Sequence, residues 1–234
     1  MRLLVTRPEP DGERTAQHLR ARGHHVLLAP LMRMEATDFA LADQRYCAVV
    51  MTSANAARAA AGHPASAKLT ALPAFMVGRH TADAARAAGF AEVISADGDK
   101  HDLARVLEAR LAGERRPLLY LAGEERSGEI ELAGGTVETV VVYRTVAVER
   151  FPPDVAAALA RGEIDGALHF SRRSAQAYVD CAEREGIFDR ALAVRHYCLS
   201  RQVSEPLAAA GAGGVSIAAR PEEGALIELV HDSS

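Results

Sequence analysis

The sequence has little of what a metal site or a disulfide-stabilised fold requires. Its three cysteines, Cys47, Cys181 and Cys198, are widely spaced, and they form no CxxC pair. This pattern argues against a structural zinc site and favours a reducing compartment. We predict that all three are small core residues.

The sequence also lacks a strong charge of one sign and a long apolar run. The formal net charge of -4 gives no general basic field, which disfavours nucleic acid and anionic membranes as partners. The chain turns polar at Thr6-Arg7-Pro8, so its start does not resemble a signal peptide, and no segment has the apolar length of a membrane span. We therefore expect a cytoplasmic protein without nucleic-acid or membrane partners.

Several catalytic motifs are missing as well. The patterns GxxxxGK[ST], GxGxxG, GxSxG and HExxH do not occur, which removes the sequence support for nucleotide hydrolysis, dinucleotide binding, esterase and zinc-protease chemistry. Asp97, Asp99 and Asp102 lack the glycine and terminal glutamate of a calcium loop, and an acidic turn leading into a helix explains them better. We expect no metal and no cofactor.

An internal repeat is the main positive feature of the chain, and such repeats determine architecture before any motif does. Corresponding segments recur at offsets that grow from 116 to about 123 residues, which indicates small insertions. The matched pairs are 3–6 with 119–122, 48–56 with 166–174, 75–81 with 197–203, and a last helix, 102–111 with 222–230.

Each repeated step consists of a short apolar strand, a polar turn, an amphipathic helix and often a closing glycine. This alternation predicts an α/β fold with two doubly wound parallel-sheet lobes, flavodoxin- or Rossmann-like. The segments 31–37 and 139–148 alternate between apolar and polar residues, and they could pair as an antiparallel two-stranded hinge ladder joining the lobes. Ligands of such sheets bind beyond the carboxyl ends of the strands.

Hydroxyls, arginines and glycines dominate the turns between strands and helices. Backbone N–H groups at helix starts, with the positive end of the helix dipole behind them, bind carboxylates or phosphates. Serine, threonine and asparagine there are also simple helix N-caps, and turn arginines are often merely solvated. The candidate binding residues are Thr6, Arg7, Thr52, Ser53, Asn55, Gly78, Arg79, His80, Thr81, Gly123, Ser171, Arg172, Arg173, Ser174, Ser200 and Arg201.

Two of the candidates for chemistry keep alternative explanations. Tyr143 lies in the second hinge segment, where its hydroxyl could point into the gap between the lobes or its ring could pack across strands. His80 could donate a proton near neutral pH, but the sequence shows no carboxylate partner, and a surface histidine explains it better.

Taken together, the motifs resemble those of the uroporphyrinogen-III synthase family over nearly the whole chain. Each motif is short, and their order and spacing carry the resemblance. They are Leu4-Val5-Thr6-Arg7-Pro8, Pro30-Leu31, Thr52-Ser53-Ala54-Asn55-Ala56, Val77-Gly78-Arg79-His80-Thr81-Ala82 and Val142-Tyr143-Arg144-Thr145.

The resemblance implies interleaved lobes and a cofactor-free lyase. Residues 1–35 with 147–234 would form one lobe and residues 38–141 the other, with hinge strands at about 32–37 and 142–147. The substrate would be hydroxymethylbilane, with its acetate and propionate groups held in the interlobe cleft by backbone amides and hydroxyls. We expect the enzyme to act as a monomer.

The family mechanism also suggests roles for individual residues. The substrate hydroxyl leaves, an azafulvene forms, and a spiro intermediate leads to uroporphyrinogen III, a haem and corrin precursor, with ring D inverted. Tyr143 would assist hydroxyl departure, while Ser53, Thr81 and Ser171 would line the cleft.

The last turn departs from the family pattern Gly-x-Thr-Thr-Ala, because residues 200–204 are Ser-Arg-Gln-Val-Ser. This departure keeps a second hypothesis open: a non-catalytic two-lobed binder or sensor of a tetrapyrrole or another polyanion.

Overall fold

The computed structural model describes residues 1–126 and 128–231, and within them the chain forms alternating strands and helices. The strands are β1 (Arg2–Val5), β2 (His25–Leu28), β3 (Met32–Ala36), β4 (Ala48–Met51), β5 (Ala74–Met76), β6 (Val93–Ser95), β7 (Leu118–Gly123), β8 (Val137–Ala147), β9 (Gly166–His169), β10 (Arg195–Cys198) and β11 (Val215–Ile217).

The helices follow the same chain order. They are α1 (Asp11–Arg20), α2 (Ala54–Ala61), α3 (Ser66–Thr70), α4 (Arg79–Ala87), α5 (Lys100–Arg110), α6 (Pro153–Ala160), α7 (Arg172–Arg184), α8 (Phe188–Leu192), α9 (Arg201–Ala209) and α10 (Glu223–His231). None of the helices in the described part of the chain is long and apolar enough to cross a membrane.

The chain divides into two compact units. Unit 1 consists of Met1–Arg33 and Val146–Ser234, and unit 2 consists of Met34–Thr145. The chain passes from one unit to the other within β3 and again within β8.

Unit 1 contains a five-stranded sheet in the order β2-β1-β9-β10-β11, and all of its strand pairs are parallel. Its central strands are continuous apolar runs, such as Leu3-Leu4-Val5, because helices cover both faces of a parallel sheet. Leu4 packs into the hydrophobic cluster on one face, while Leu3 and Val5 pack into the cluster on the other.

Unit 2 contains the sheet β8-β7-β4-β5-β6, in which every strand pair is parallel, and β3 lies beside β8 at its edge. The N–H of Thr37 donates to the carbonyl of Val142 at 3.1 Å, and the N–H of Val148 donates to the carbonyl of Leu31 at 3.0 Å. Residue numbers rise along one strand as they fall along the other, so β3 and β8 form an antiparallel ladder.

The two sheets repeat one strand order, with β1 and β2 corresponding to β7 and β8, and β9 to β11 corresponding to β4 to β6. The opening strands of the first sequence repeat therefore share a sheet with the closing strands of the second. The predicted α/β fold with two parallel sheets is confirmed.

The repeat is not exact after β7. The described residues between β7 and β8, 124–126 and 128–136, contain no helix, whereas α1 lies between β1 and β2. Gly128 and Gly134 adopt positive φ angles of 86° and 69°, which interrupt a helix. Ile130 and Leu132, two positions apart, both pack into the core, which is the spacing of extended chain.

Two smaller predictions are confirmed. All three cysteines are buried and unpaired. The acidic run forms a capping box, in which the Asp99 carboxylate accepts from the N–H groups of His101 and Asp102, while the Asp102 carboxylate accepts from the Asp99 N–H. These carboxylates therefore stabilise the start of α5.

Candidate functional site

The candidate residues of unit 2 lie at the carboxyl edge of its sheet, where β4, β5 and β7 end. Thr52 follows β4, and its hydroxyl lies 3.1 Å from the hydroxyl of Tyr120 on β7. Tyr120 is fully buried. Sequence reasoning missed it, because a tyrosine within an apolar strand carries no signal that its hydroxyl reaches the strand end.

Ser53 is the N-cap of α2. Its backbone is extended, and its hydroxyl accepts a hydrogen bond from the Asn55 N–H at 3.2 Å. The side-chain oxygen of Asn55 in turn accepts from Arg58 at 2.8 Å. This turn therefore satisfies part of its own hydrogen-bonding capacity.

The start of α4 is different. Gly78 is the N-cap, with extended backbone at φ −154° and ψ 172°, and no side chain caps the helix. Arg79 and His80 are exposed, whereas Thr81 is buried. The first N–H groups of α4 therefore have no side-chain acceptor from the cap, so they and the positive end of the helix dipole are suited to an anion.

The positive charge of Arg79 is not free. Its Nε donates to Asp97 at 3.0 Å. Hydrogen bonds from Ser95 and Arg79 hold the pKa of the Asp97 carboxyl below its ordinary value. The exposed pair thus turns the arginine toward β6.

Tyr143 and Gly123 are in close contact where β7 and β8 lose register. A Cβ added at Gly123 would lie 2.6 Å from the Tyr143 ring carbon Cζ and 2.7 Å from its hydroxyl oxygen. The N–H of Glu124 donates to the Tyr143 carbonyl at 2.9 Å, and the register shifts between Ala122 and Gly123. Only glycine at 123 permits this ring position, which explains why both residues occur at this edge.

Tyr143 packs into the hydrophobic core of unit 2, and only 9% of its surface is exposed. The ring thus packs in the core of unit 2. The hydroxyl lies over Gly123 at the carboxyl edge of the sheet.

In unit 1, Thr6 and Arg7 follow β1. Thr6 is fully buried, and its hydroxyl donates to the Leu168 carbonyl at 2.8 Å. Arg7 donates to Asp11 at 2.9 Å and to Glu223 at 3.0 Å. Its guanidinium also lies 4.5 Å from the centre of the Phe170 ring. The charge of Arg7 is therefore compensated within unit 1.

The turn after β9 begins α7. The Ser171 hydroxyl accepts from the Ser174 N–H at 3.1 Å and donates to the Ser174 hydroxyl at 2.9 Å. Arg172 and Glu205, both exposed, form an ion pair at 3.2 Å, and Arg173 is also exposed. Ser171 thus caps α7 as Ser53 caps α2.

Ser200 begins α9, and its side chain makes no cap hydrogen bond. Its backbone, at φ −156° and ψ 169°, nearly matches that of Gly78. Extended backbone is open to any residue, so serine occupies this position without strain. Arg201 is exposed at the first position of α9, as Arg79 is at the first position of α4. The helix starts that correspond in the repeat are thus both uncapped.

Sequence reasoning also missed a buried histidine pair in unit 1. Nε2 of His169 lies 3.1 Å from Nδ1 of His196, and both residues are fully buried. Burial lowers the pKa of His196 to about 4, and burial beside His196 holds the pKa of His169 well below its usual range. Both imidazoles are neutral at pH 7. In the described residues, no group of three or more His, Cys, Asp or Glu could hold a metal ion.

The structure thus brings the candidates together in two sets, one at the carboxyl edge of each sheet. The set of unit 2 is Thr52, Ser53, Asn55, Gly78, Arg79, His80, Thr81, Gly123 and Tyr143; the set of unit 1 is Thr6, Arg7, Ser171, Arg172, Arg173, Ser174, Ser200 and Arg201.

Comparisons with known proteins agree with this fold. A family model described as "Uroporphyrinogen-III synthase HemD" matches residues 13–228. The crystal structure of uroporphyrinogen-III synthetase from Helicobacter pylori is similar with a TM-score of 0.60 and 17% identity, covering 100% of both chains.

A uroporphyrinogen III synthase from the extremely thermophilic bacterium Thermus thermophilus is also similar, with 18% identity, 100% of both chains covered and a TM-score of 0.45. No curated protein matches the chain in sequence.

Proposed function

Because the chain belongs to the uroporphyrinogen-III synthase family, we propose that it is a lyase that closes hydroxymethylbilane into uroporphyrinogen III with inversion of ring D. The observation that carries this proposal is the family match over residues 13–228. The geometry of the two carboxyl edges supplies groups suited to such a substrate, a flexible molecule with many carboxylates.

The substrate carboxylates are bound chiefly at the starts of α4 and α9. Both helices lack a side-chain cap, so their first-turn N–H groups can donate to acetate and propionate oxygens. At α2 and α7, Ser53 and Ser171 already accept from the first turn. Those two serines offer their hydroxyls to the substrate, and their helices have fewer free backbone N–H groups to bind it.

Arg201 pairs directly with a substrate carboxylate. It lies in the turn 200–204, which departs from the family pattern. Arg79, its counterpart, is paired with Asp97, whereas Arg201 has no carboxylate partner within the part of the chain that the structure describes. A guanidinium at the first position of a helix adds a charge-assisted donor to the N–H groups behind it. This supports a functional site despite the missing threonines.

Tyr143 assists departure of the substrate hydroxyl by donating its phenolic hydrogen bond to the leaving oxygen. Its hydroxyl lies at the edge of the sheet over Gly123, and its ring is held by the core. A fixed donor of this kind lowers the barrier for loss of water. The remaining task is conformational, because the bilane must be folded so that ring D inverts.

A coupled assay that supplies hydroxymethylbilane and resolves isomers I and III tests the function. We expect isomer III from the wild-type protein. In Tyr143→Phe we expect kcat to fall by roughly 10- to 100-fold while KM changes little, since phenylalanine keeps the packing.

A matched control is Tyr197→Phe, which removes a buried hydroxyl that has no hydrogen-bond partner among the described residues. It should retain activity. Product that stays isomer I with wild-type protein would overturn the enzyme proposal and favour a non-catalytic tetrapyrrole binder. Full activity in Tyr143→Phe would remove only the role of this tyrosine.

We also propose that the chain forms two lobes joined by two hinge strands. Residues 1–35 with 147–234 and residues 38–141 are the two substrate-binding lobes, and residues 32–37 and 142–147 are the hinge strands. The enzyme acts as a monomer in the cytoplasm, and its three buried free thiols support a reducing environment. Sedimentation equilibrium with and without substrate checks the monomer.

A further inference from the structure

A cavity of about 490 Å³ lies in unit 2 at the amino-terminal end of the sheet. This end is opposite to the carboxyl edge that carries Thr52, Gly78 and Gly123. The lining of the cavity comes from the segment 41–46 before β4, from α3 and its flanks, and from Arg116 before β7. β4 and β7 are parallel, so these segments meet at the amino-terminal end of both strands. The four residues of β4 separate the two ends by roughly 13 Å.

The floor of this cavity is apolar and rigid. Tyr46 and Leu69 are almost fully buried, and Leu41 and Leu72 pack against the same hydrophobic cluster. The volume falls within the range of small-molecule pockets, which are mostly apolar with a few polar groups at their edges. A flat apolar body of one or two rings fits such a floor.

His63 forms an aromatic wall whose orientation is fixed by its neighbours. Its ring stacks on Phe39 with centroids 3.8 Å apart. Nε2 lies 2.9 Å from the Phe39 carbonyl, and Nδ1 accepts from the Ala65 N–H at 3.1 Å. Both ring nitrogens are thus occupied by backbone partners, so His63 offers the face of its ring to the cavity.

The lining of the cavity carries more positive than negative charge. Arg116 is neutralised by Glu114, which it contacts through two guanidinium nitrogens. The side chains of Arg45 and Lys68, in contrast, have no ion-pair or hydrogen-bond partner within the part of the chain that the structure describes. Asp43 is the single carboxylate among the lining residues.

We propose that this cavity binds an organic anion, with a flat apolar body on Tyr46 and Leu69 and a carboxylate between Arg45 and Lys68. The site is separate from the catalytic edge and does not depend on the proposed reaction. Its ligand class follows from the pairing of an apolar floor with two unpaired cations.

Isothermal titration of the full chain at low ionic strength tests the proposal with two probes, 1-naphthoate and the uncharged 1-naphthalenemethanol. We expect saturable one-site binding of naphthoate, at least about tenfold tighter than the alcohol, because only the carboxylate engages the cations. The Arg45→Ala/Lys68→Ala variant should lose at least about tenfold in naphthoate affinity.

The control variant Arg86→Ala/Arg105→Ala removes two exposed positive charges elsewhere in unit 2 and should change affinity less than about twofold. Leu72→Trp should fill the cavity and abolish binding, while its thermal unfolding shows whether the fold is intact. The proposal is overturned by no saturable binding to wild-type protein, by unchanged binding in both cavity variants, or by an equal loss in the control.

Discussion

Acid destabilises unit 1 through the buried pair His169 and His196, and replacing both residues by leucine should remove this sensitivity. The rings lie 3.1 Å apart between their nearest nitrogens, and Tyr178 packs edge-on against both. Replacing both partners of a buried hydrogen bond by apolar groups of similar size leaves no unpaired donor, so the His169→Leu/His196→Leu variant should fold.

The size of this acid destabilisation follows from the pKa of each imidazole. In the unfolded chain a histidine takes up a proton near pH 6.5, whereas burial lowers the pKa of His196 to about 4 in the fold. As the pH falls from 6.5 to 4, the unfolded state binds a proton that the folded state excludes. Each pH unit changes the free energy of unfolding by about 1.4 kcal/mol, so His196 alone lowers it by about 3 kcal/mol between pH 6.5 and 4. His169 adds to the loss with the same sign.

Urea denaturation across this pH range, followed by circular dichroism, measures the effect. The stability of the wild-type protein should fall by about 3 kcal/mol or more relative to the double variant. Carboxylates such as Glu114 and Glu163, whose pKa values are lowered to about 2, are common to both proteins and cancel. The exposed control His101→Gln should follow the wild type. Parallel curves for the wild type and the double variant would refute the reasoning.

Three further substitutions probe the edges of the sheets. Gly123→Ala should push the Tyr143 ring out of place, lowering kcat roughly 10- to 100-fold in the isomer-resolving assay. Ser171→Ala removes the cap of α7 and should lower the free energy of unfolding, measured by urea denaturation, by about 1 kcal/mol. Ser200→Ala has no cap hydrogen bond to lose and should lower it by only a few tenths of a kcal/mol. Glu223→Gln removes the charge of a partly buried carboxylate that pairs with Arg7. It should lower the free energy of unfolding by about 2 kcal/mol.

Two of these substitutions have matched controls. Gly62→Ala adds a methyl group in ordinary contact and should leave kcat unchanged. Glu222→Gln affects an exposed ion pair with nitrogen and oxygen 3.8 Å apart and should cost less than about 0.5 kcal/mol. Equal effects at 222 and 223, or at 171 and 200, would contradict the roles assigned to the contacts.

The sequence could predict the elements whose signals are local. The repeat identified the apolar strands, their helices and the capping run at Asp99, because strand burial and helix capping leave patterns over a few residues. The segment after β7 departs from the repeat, because Gly128 and Gly134 adopt positive φ there.

Pairings across the chain were much harder to predict. The contact of Tyr120 with Thr52, the histidine pair, and the ion pair of Arg7 with Glu223 join residues that are far apart in sequence. No periodicity encodes which buried side chain meets which, since that depends on strand order and register. The candidate turns could be predicted as a set, whereas the division into capped and uncapped helix starts depends on side-chain hydrogen bonds that the sequence does not encode.

The exchange of strands between the two repeats also dictates an order of events during synthesis. The sheet of unit 2 can close once the chain has grown through β8, because β4 to β8 are consecutive. β1 must remain without its partner β9 until more than 160 residues have been made, as Leu3 pairs with Gly166. Closing so long a loop is entropically costly and slow. A ribosome-bound chain therefore carries a completed second unit while its first strands still await their neighbours.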